Sequence, residues 1–492
     1  MMNAPMNVLL PDALVMAAII VAWLNDTFTG AAGRRLTYLI AVVASVVAGV
    51  WFAVQALDPH QYYFFSRMVV VDSFASMMKA VVSFGFAVTL VYSRKYLEDR
   101  DMFRGDVFLL GMFSLLGQLV MVSGNNFLTL YLGLELMSLS LYAVIALRRD
   151  AAQSSEAAMK YYVLGALASG FVLYGISMLY GATGSLELGE VYKAVSGNTD
   201  AAVLMFGVIF IVAGIAFKLG AVPFHMWVPD VYQGAPTAMT LFVGGGPKVA
   251  AFAWGLRFLV MGLLPLAQNW QTALVILAAL SLIVGNITGI VQRNIKRMLA
   301  YSAISNMGFV LLGLLAGIVK GDAAAPANAY SSAMFYAIVY LITTLGSFGV
   351  VMLLARRDFE AETIDDFKGL NKRSPVFAFV MMVMMFSLAG IPPTVGFYAK
   401  LAVLEATVNA GLTWLAVLAV ITSLFGAFYY LRIVKLMYFD APQDASPITG
   451  DFCKRTILVV NGLAVVALGL VPSPLLTACL QAIRHTLQTL PL

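Results

Sequence analysis

Long apolar runs recur along almost the whole chain, and the short polar links between them set the rhythm of the sequence. Measured against a hydrocarbon core of roughly 30 Å, the runs predict spans near 8–25, 36–57, 71–92, 106–124, 127–147, 157–180, 202–238, 239–262, 271–291, 298–319, 330–355, 375–408, 411–437 and 456–476. That makes about 14 transmembrane helices and an all-α polytopic membrane protein. The stretch from Ala202 to Thr240 does not fit one straight crossing, because a rod of that length would measure about 57 Å. It is also too short for two full spans and a loop, so it reads as one helix broken near Pro223. Each proline lacks an N–H and displaces the carbonyl four residues back, which frees Leu219 (from Pro223) and His225 (from Pro229). A second break is expected near Pro392 and Pro393, in AGIPPTVGFYAKLAVLEA (389–406). Non-helical backbone at membrane depth occurs where it lines a cavity or an ion path.

Composition adds the class but little chemistry. Of 492 residues, 61% are hydrophobic and 11% charged, and the mean hydropathy is +0.89. A soluble chain of this length would divide into domains with polar surfaces. The net charge of +5 does not point to nucleic acid, since the basic residues are scattered singly through the links. Their sidedness is informative: one set of links holds 21 of them, among them Arg34, Arg100, Lys160, Lys296 and Arg356, and the other set holds 5, Arg67, Lys193, Arg257, Lys320 and Arg484. By the positive-inside rule the first set is cytoplasmic, and with an even number of spans both termini face away from the cytoplasm. The N-terminal MMNAPMNVLLPD has no basic segment, so the first run is read as a retained span. The loop 356–373 is the most charged segment, a solvated connector or a docking surface, and the tail after 476 looks interfacial.

Candidate chemistry lies in the few ionisable groups inside the spans, which are costly in lipid and functional by default. Glu135 falls near the middle of the fifth span; Lys218, Lys248 and Lys400 fall in or beside the two broken helices. A desolvated lysine exchanges its proton readily, which arginine does not. His225, beside the first break, is a candidate relay link or a satisfied core histidine. Asp230 is expected to cap or pair locally, Asp72 and Lys79 to form a structural pair at seven-residue spacing, and Glu156 and Lys160 a solvated i,i+4 salt bridge. The GGGPK run (244–248) follows no strand and is no phosphate loop; its glycines allow close helix approach or leave room for water. Three histidines, His60, His225 and His485, supply no haem pair, and Cys453 with Cys479 gives neither a disulfide framework nor a cluster motif.

The blocks LYLGLELMSLSLYAVIAL, SEAAMKYYVLGALASGF, GIAFKLGAVPFHMWVPDVYQGAPT, NIKRMLAYSAISNMGF and LAGIPPTVGFYAKL together resemble the antiporter-like membrane subunits of the bacterial proton-pumping NADH:quinone oxidoreductase, respiratory complex I. Subunits of Mrp-type cation/proton antiporters and of membrane hydrogenases are their relatives. The likeness covers nearly the whole chain. It implies two inverted five-helix repeats, here 106–262 and 263–438, after a three-helix segment 1–105 and before a C-terminal helix and tail, 439–492. It further implies that Glu135 modulates Lys218, that Lys248 connects the central axis, that Lys400 serves the outward half-channel, and that His225 and Tyr301 bridge the axis. A lysine at position 400 and the absence of a long lateral helix favour the subunit N branch. The resemblance implies no cofactor in this chain, with NADH, FMN, iron–sulfur clusters and quinone (ubiquinone or another) handled by other subunits of a complex in the bacterial inner membrane. Its partners would be other membrane-arm subunits and the lipid bilayer. Alternative readings are an antiporter or hydrogenase subunit, and a scaffold whose charges only lock helices together.

Overall fold

The computed structural model describes residues 6–148, 150–197, 201–318, 325–357, 359–443, 446, 448 and 451–488. Six helices come first: α1 (Leu10–Thr29), α2 (Arg34–Gln55), α3 (Ser73–Asp99), α4 (Gly105–Ser123), α5 (Phe127–Ile145) and α6 (Ala152–Thr183). A short hairpin of β1 (Tyr62–Phe64) and β2 (Val69–Val71) joins α2 to α3. The first broken region follows a surface helix α7 (Leu188–Val195) and consists of α8 (Ala201–Leu219), α9 (Trp227–Gly234), α10 (Thr237–Gly244) and α11 (Gly246–Leu256), ending in a π-helical turn Arg257–Gly262. The second set is α12 (Ala267–Ile290), α13 (Ile295–Leu315), α14 (Ala325–Leu354), α15 (Leu370–Arg373), the broken pair α16 (Pro375–Ala389) and α17 (Val395–Asn409), and α18 (Thr413–Phe439). α19 (Phe452–Leu470) and α20 (Ser473–Leu487) close the chain.

Eleven helical stretches among the described residues are long and apolar enough to cross a membrane, and the first of them, Met6–Gln55, contains both α1 and α2. The remaining crossings are pieced together, one from α10 and α11 and one from α16 and α17. The fourteen expected spans are therefore all present, with the breaks where the prolines put them. The SGNN link is a true boundary: Asn126 caps α5 by accepting from Leu128 N–H at 2.9 Å, and Asn125 N–H donates to Met68 O.

Between apolar helices in lipid, association depends on close packing rather than on hydrophobic burial. The two helix pairs that open the two sets show it in the same way. A Cβ on Gly117 of α4 would lie 2.4 Å from Met137 N of α5, and one on Gly285 of α12 would lie 2.7 Å from Ser305 N of α13. α13 is the centre of the molecule: apart from Arg297 and Tyr301, its residues are all buried.

Among the described residues, ion pairs at the ends of the helices join groups of the same face. Arg100 meets Glu360 and Lys296 meets Glu362 on the basic face; Arg67 meets Glu187 on the opposite face. Three expectations need correction. Asp72 and Lys79 do not pair: Asp72 caps α3 through Ala75 N–H (2.7 Å) and binds Arg257 (2.8 Å), while Lys79 binds Asp12 (2.7 Å). Seven residues is two turns along one helix, and each group instead found a partner on another helix. Arg257 is no loop residue, being 1% exposed within the bundle. Asp230 pairs across the fold with Lys160 and Arg297, each at 2.8 Å, rather than locally. The Glu156–Lys160 salt bridge forms at 2.8 Å. Lys320 and Arg149 lie outside the described residues.

Candidate functional site

Lysine ammonium groups and freed carbonyls meet at the two breaks. α8 ends in Gly220 at φ 73°, with Gly220 N–H on Phe217 O (3.0 Å) and Ala221 N–H on Ala216 O (2.7 Å). This wraps the last turn and leaves the carbonyls of Lys218 and Leu219 unclaimed by the helix. Lys248 Nζ takes both, donating to Leu219 O at 2.7 Å and Lys218 O at 3.3 Å. A Cβ at position 220 would sit 2.6 Å from Val228 Cγ2 and 3.0 Å from Lys248 Nζ, so a glycine is required both by the backbone and by the ammonium. The second break repeats the device. α16 ends in Gly390 at φ 83°, and Lys400 Nζ donates to Ala389 O at 2.9 Å and to Ser423 Oγ at 2.6 Å. The negative end of a half-helix dipole thus faces an ammonium in each half. By this measure the counterpart of Lys400 is Lys248, not Lys218.

Lys218 is buried in the last turn of α8 and donates to Ser138 Oγ at 2.8 Å. Glu135 lies three residues before Ser138 on α5, so carboxylate and hydroxyl share one face of that helix. No direct ion pair joins Glu135 to Lys218 among the described residues, and Glu135 Oε1 is buried without a hydrogen-bond partner there. His225 sits within the break, half-buried, its Nδ1 likewise buried and without a partner among the described residues. Tyr301 is half-buried near the start of α13, with the Arg297 guanidinium 6.0 Å from its ring centroid.

Between Lys248 and Lys400 runs a row of neutral polar groups that sequence reasoning passed over. Ser281 of α12 accepts from Val222 N–H in the first break (2.9 Å), and Asn286 lies a turn further along. Tyr429 OH donates to Asn286 Oδ1 (3.2 Å), and the Tyr429 and Tyr430 rings are 4.3 Å apart. Tyr430 OH and Ser302 Oγ share a hydrogen bond of 2.6 Å; Asn306 Nδ2 donates to Ser302 O (2.7 Å), and Asn306 Oδ1 accepts from Tyr336 OH (2.6 Å). Tyr336 stacks on Phe309, and Lys400 Nζ lies 5.0 Å from that ring's centroid. The signal in the sequence was the spacing Ser302, Ser305, Asn306 in the apolar run that follows Tyr301, which puts three polar groups on one stripe. No group of three or more metal-ligating side chains occurs among the described residues.

A bundle of apolar helices, pierced twice and threaded by buried cations and hydroxyls, is the architecture of an ion translocator. Residues 124–426 match the family described as "NADH:quinone oxidoreductase/Mrp antiporter, TM". The chain is 81% identical over 490 residues to a protein of Paraburkholderia phymatum named NADH-quinone oxidoreductase subunit N, covering 99% of this chain and 100% of that one. It is 59% identical to the protein of that name from Cupriavidus taiwanensis, over 98% and 99% of the two chains. In structure it is similar to a chain of respiratory complex I from Thermus thermophilus, with a TM-score of 0.81, 29% identity and coverage of 95% and 98%. A chain of the Mrp complex from Dietzia shares the fold at a TM-score of 0.82 and 19% identity, covering 98% and 99%. The chain belongs to the NADH:quinone oxidoreductase/Mrp antiporter family.

Proposed function

We propose that this chain carries protons across the membrane along the row Glu135, Lys218, Lys248, the Ser/Asn/Tyr groups and Lys400, with His225 and Tyr301 flanking it. It is a membrane-arm subunit of NADH:quinone oxidoreductase, and other membrane-arm subunits are its partners. Oxidation of NADH and reduction of quinone belong to other subunits; this chain contributes groups that gain and release protons. The observation that carries the reading is the pair of ammoniums seated on freed half-helix carbonyls. Such a carbonyl holds the charged lysine by its dipole, and the neutral amine keeps a lone pair for the return of the proton. A change of charge at Glu135 or Lys218 alters the field at Lys248, whose two acceptors are the peptide groups of Lys218 and Leu219. Serine and tyrosine hydroxyls both donate and accept, so the row between Lys248 and Lys400 is suited to pass a proton on.

We place the basic face at the cytoplasm of a bacterial inner membrane and both termini in the periplasm, on the strength of the division of charge between the links, 21 against the 4 that remain of the 5 once Arg257 is counted inside the bundle. The similar series of helices α4–α11 and α12–α18 supports repeats over 106–262 and 263–438. Substitution of Lys218 tests relay against scaffold. Arginine keeps the positive charge but does not release its proton, having a pKa above about 12. Lys218→Arg is expected to assemble and to lose most proton translocation in vesicles, normalised to assembled complex, with Lys218→Met as the control for bulk. Full pumping by the arginine variant would remove Lys218 from the path.

A further inference from the structure

The loop after α14 takes no part in the lysine row, yet two of its carboxylates reach the bend between α9 and α10. That bend is Ala235–Pro236, and α10 begins after it with no capping side chain of its own. The orphan Thr237 N–H donates to Tyr96 OH of α3 at 3.0 Å. The same hydroxyl donates to Glu360 Oε1 at 2.7 Å, where Arg100 Nε also donates at 2.7 Å. Arg100 Nη2 continues to the carbonyls of Arg356 (3.0 Å) and Phe359 (3.3 Å), and its guanidinium lies 3.8 Å from the Tyr96 ring centroid. On the other side of Pro236, Ala235 O accepts from Lys296 Nζ at 3.1 Å, and Lys296 is paired with Glu362 at 2.9 Å. The loop backbone is itself anchored to the start of α13, with Ile295 N–H on Glu362 O (2.7 Å) and Ile364 N–H on Arg293 O (2.9 Å).

Two glutamates two residues apart thus grip the two residues that flank one proline, each through a single intermediary. We propose that residues 359–364 are a strap that positions the α9–α10 bend, and with it Lys248, with Tyr96 and Glu360 as one arm and Lys296 and Glu362 as the other. α10 is a single rigid piece about 12 Å long between the bend and Gly245, so a shift of the bend is delivered to the helix that carries Lys248. Lys248 must meet two carbonyls of α8 at once, which leaves little tolerance for such a shift. At its far end the same loop runs through α15 into α16, whose last carbonyl holds Lys400. The strap therefore ties the bend of the first broken region to the broken helix of the second.

This inference rests on the proton path proposed above, and its test separates the two. Tyr96→Phe keeps the ring beside Arg100 and both charges of the Arg100–Glu360 pair, and removes only the hydroxyl that joins them to Thr237. In the assembled complex, amide hydrogen exchange in peptides containing Thr237 is expected to run about threefold faster, with α8 peptides unchanged. Protons translocated per NADH oxidised are expected to fall to about half. Glu362→Gln, at a side chain 37% exposed, loosens the second arm and is expected to move both readouts the same way by less. It decides the matter alone if Tyr96→Phe does not assemble. Unchanged exchange at Thr237, or faster exchange with undiminished pumping, overturns the strap. Lys218→Met reads the path itself: pumping is expected to vanish with exchange at Thr237 unaltered, and normal pumping there would sink the underlying reading instead.

Discussion

At the scale of single residues, a buried charge here is defined less by its own identity than by what is held against it. Lys248 and Lys400 rest on backbone carbonyls and Lys218 on a serine hydroxyl, so none of the three is locked in a close ion pair with a carboxylate among the described residues. A tight carboxylate partner would pin the ammonium form, whereas a neutral acceptor lets the proton leave. In the proposed path Glu135 acts on Lys218 from a distance, along one face of α5, through charge rather than contact. Glu135→Gln, which keeps the shape and removes the charge, is therefore expected to lower proton pumping and the coupled quinone reduction several-fold, and Glu135→Asp much less. Assay of both variants in vesicles at equal complex content checks it; a Gln variant that pumps normally would make Glu135 mere polar bulk.

At the scale of elements, pairs of helices are clamped by ions well away from the proton row. The Asp72–Arg257 bridge joins the start of α3 to the π-helical turn after α11, with both side chains 1% exposed. Arg257 Nε donates also to Val122 O of α4, so three helices meet at one guanidinium. Removal of one partner of a buried pair leaves an uncompensated charge and costs roughly 3–5 kcal/mol, whereas replacement of both is often nearly neutral. Arg257→Met is accordingly expected to lower the melting temperature or the yield of assembled subunit. Asp72→Asn added to it is expected to restore most of the loss, because asparagine still caps α3. Thermal dissociation followed on native gels distinguishes the two; no rescue by the double variant would mean that the bridge contributes geometry rather than charge balance.

At the scale of the whole molecule, the distribution of charge orients the bundle. Cys453 is exposed at the start of α19, on the face that carries Arg100, Lys296 and the strap, and Cys479 is buried in α20. If that face is cytoplasmic, a membrane-impermeant thiol reagent is expected to leave Cys453 unlabelled in intact cells and to label it in inverted vesicles. Labelling from outside would reverse the orientation, and with it the direction assigned to the half-channels. The C-terminal segment expected at the interface is α20, packed through Cys479, Ala482 and Ile483, with His485 3.3 Å from Ser73 Oγ.

The sequence by itself determined the number of crossings, the two breaks and the buried lysines. Lipid has no donors or acceptors for an open backbone, so run length and proline position locate helices and their interruptions, and a charge within a run stands out because it is costly there. It determined even that Leu219 O would be free, since Pro223 cannot claim it. Only the tertiary structure decided what met what: Lys248 on Leu219 O, Lys79 with Asp12 instead of Asp72, Arg257 inside the bundle, Glu360 and Glu362 on the bend at Pro236, and the hydroxyl row from Ser281 to Tyr336. The physical reason is that in a bilayer the lipid-facing and protein-facing sides of a helix are both apolar. Polarity therefore does not record which face meets which neighbour, and groups 29 to 264 residues apart find one another only through the packing of the helices that carry them.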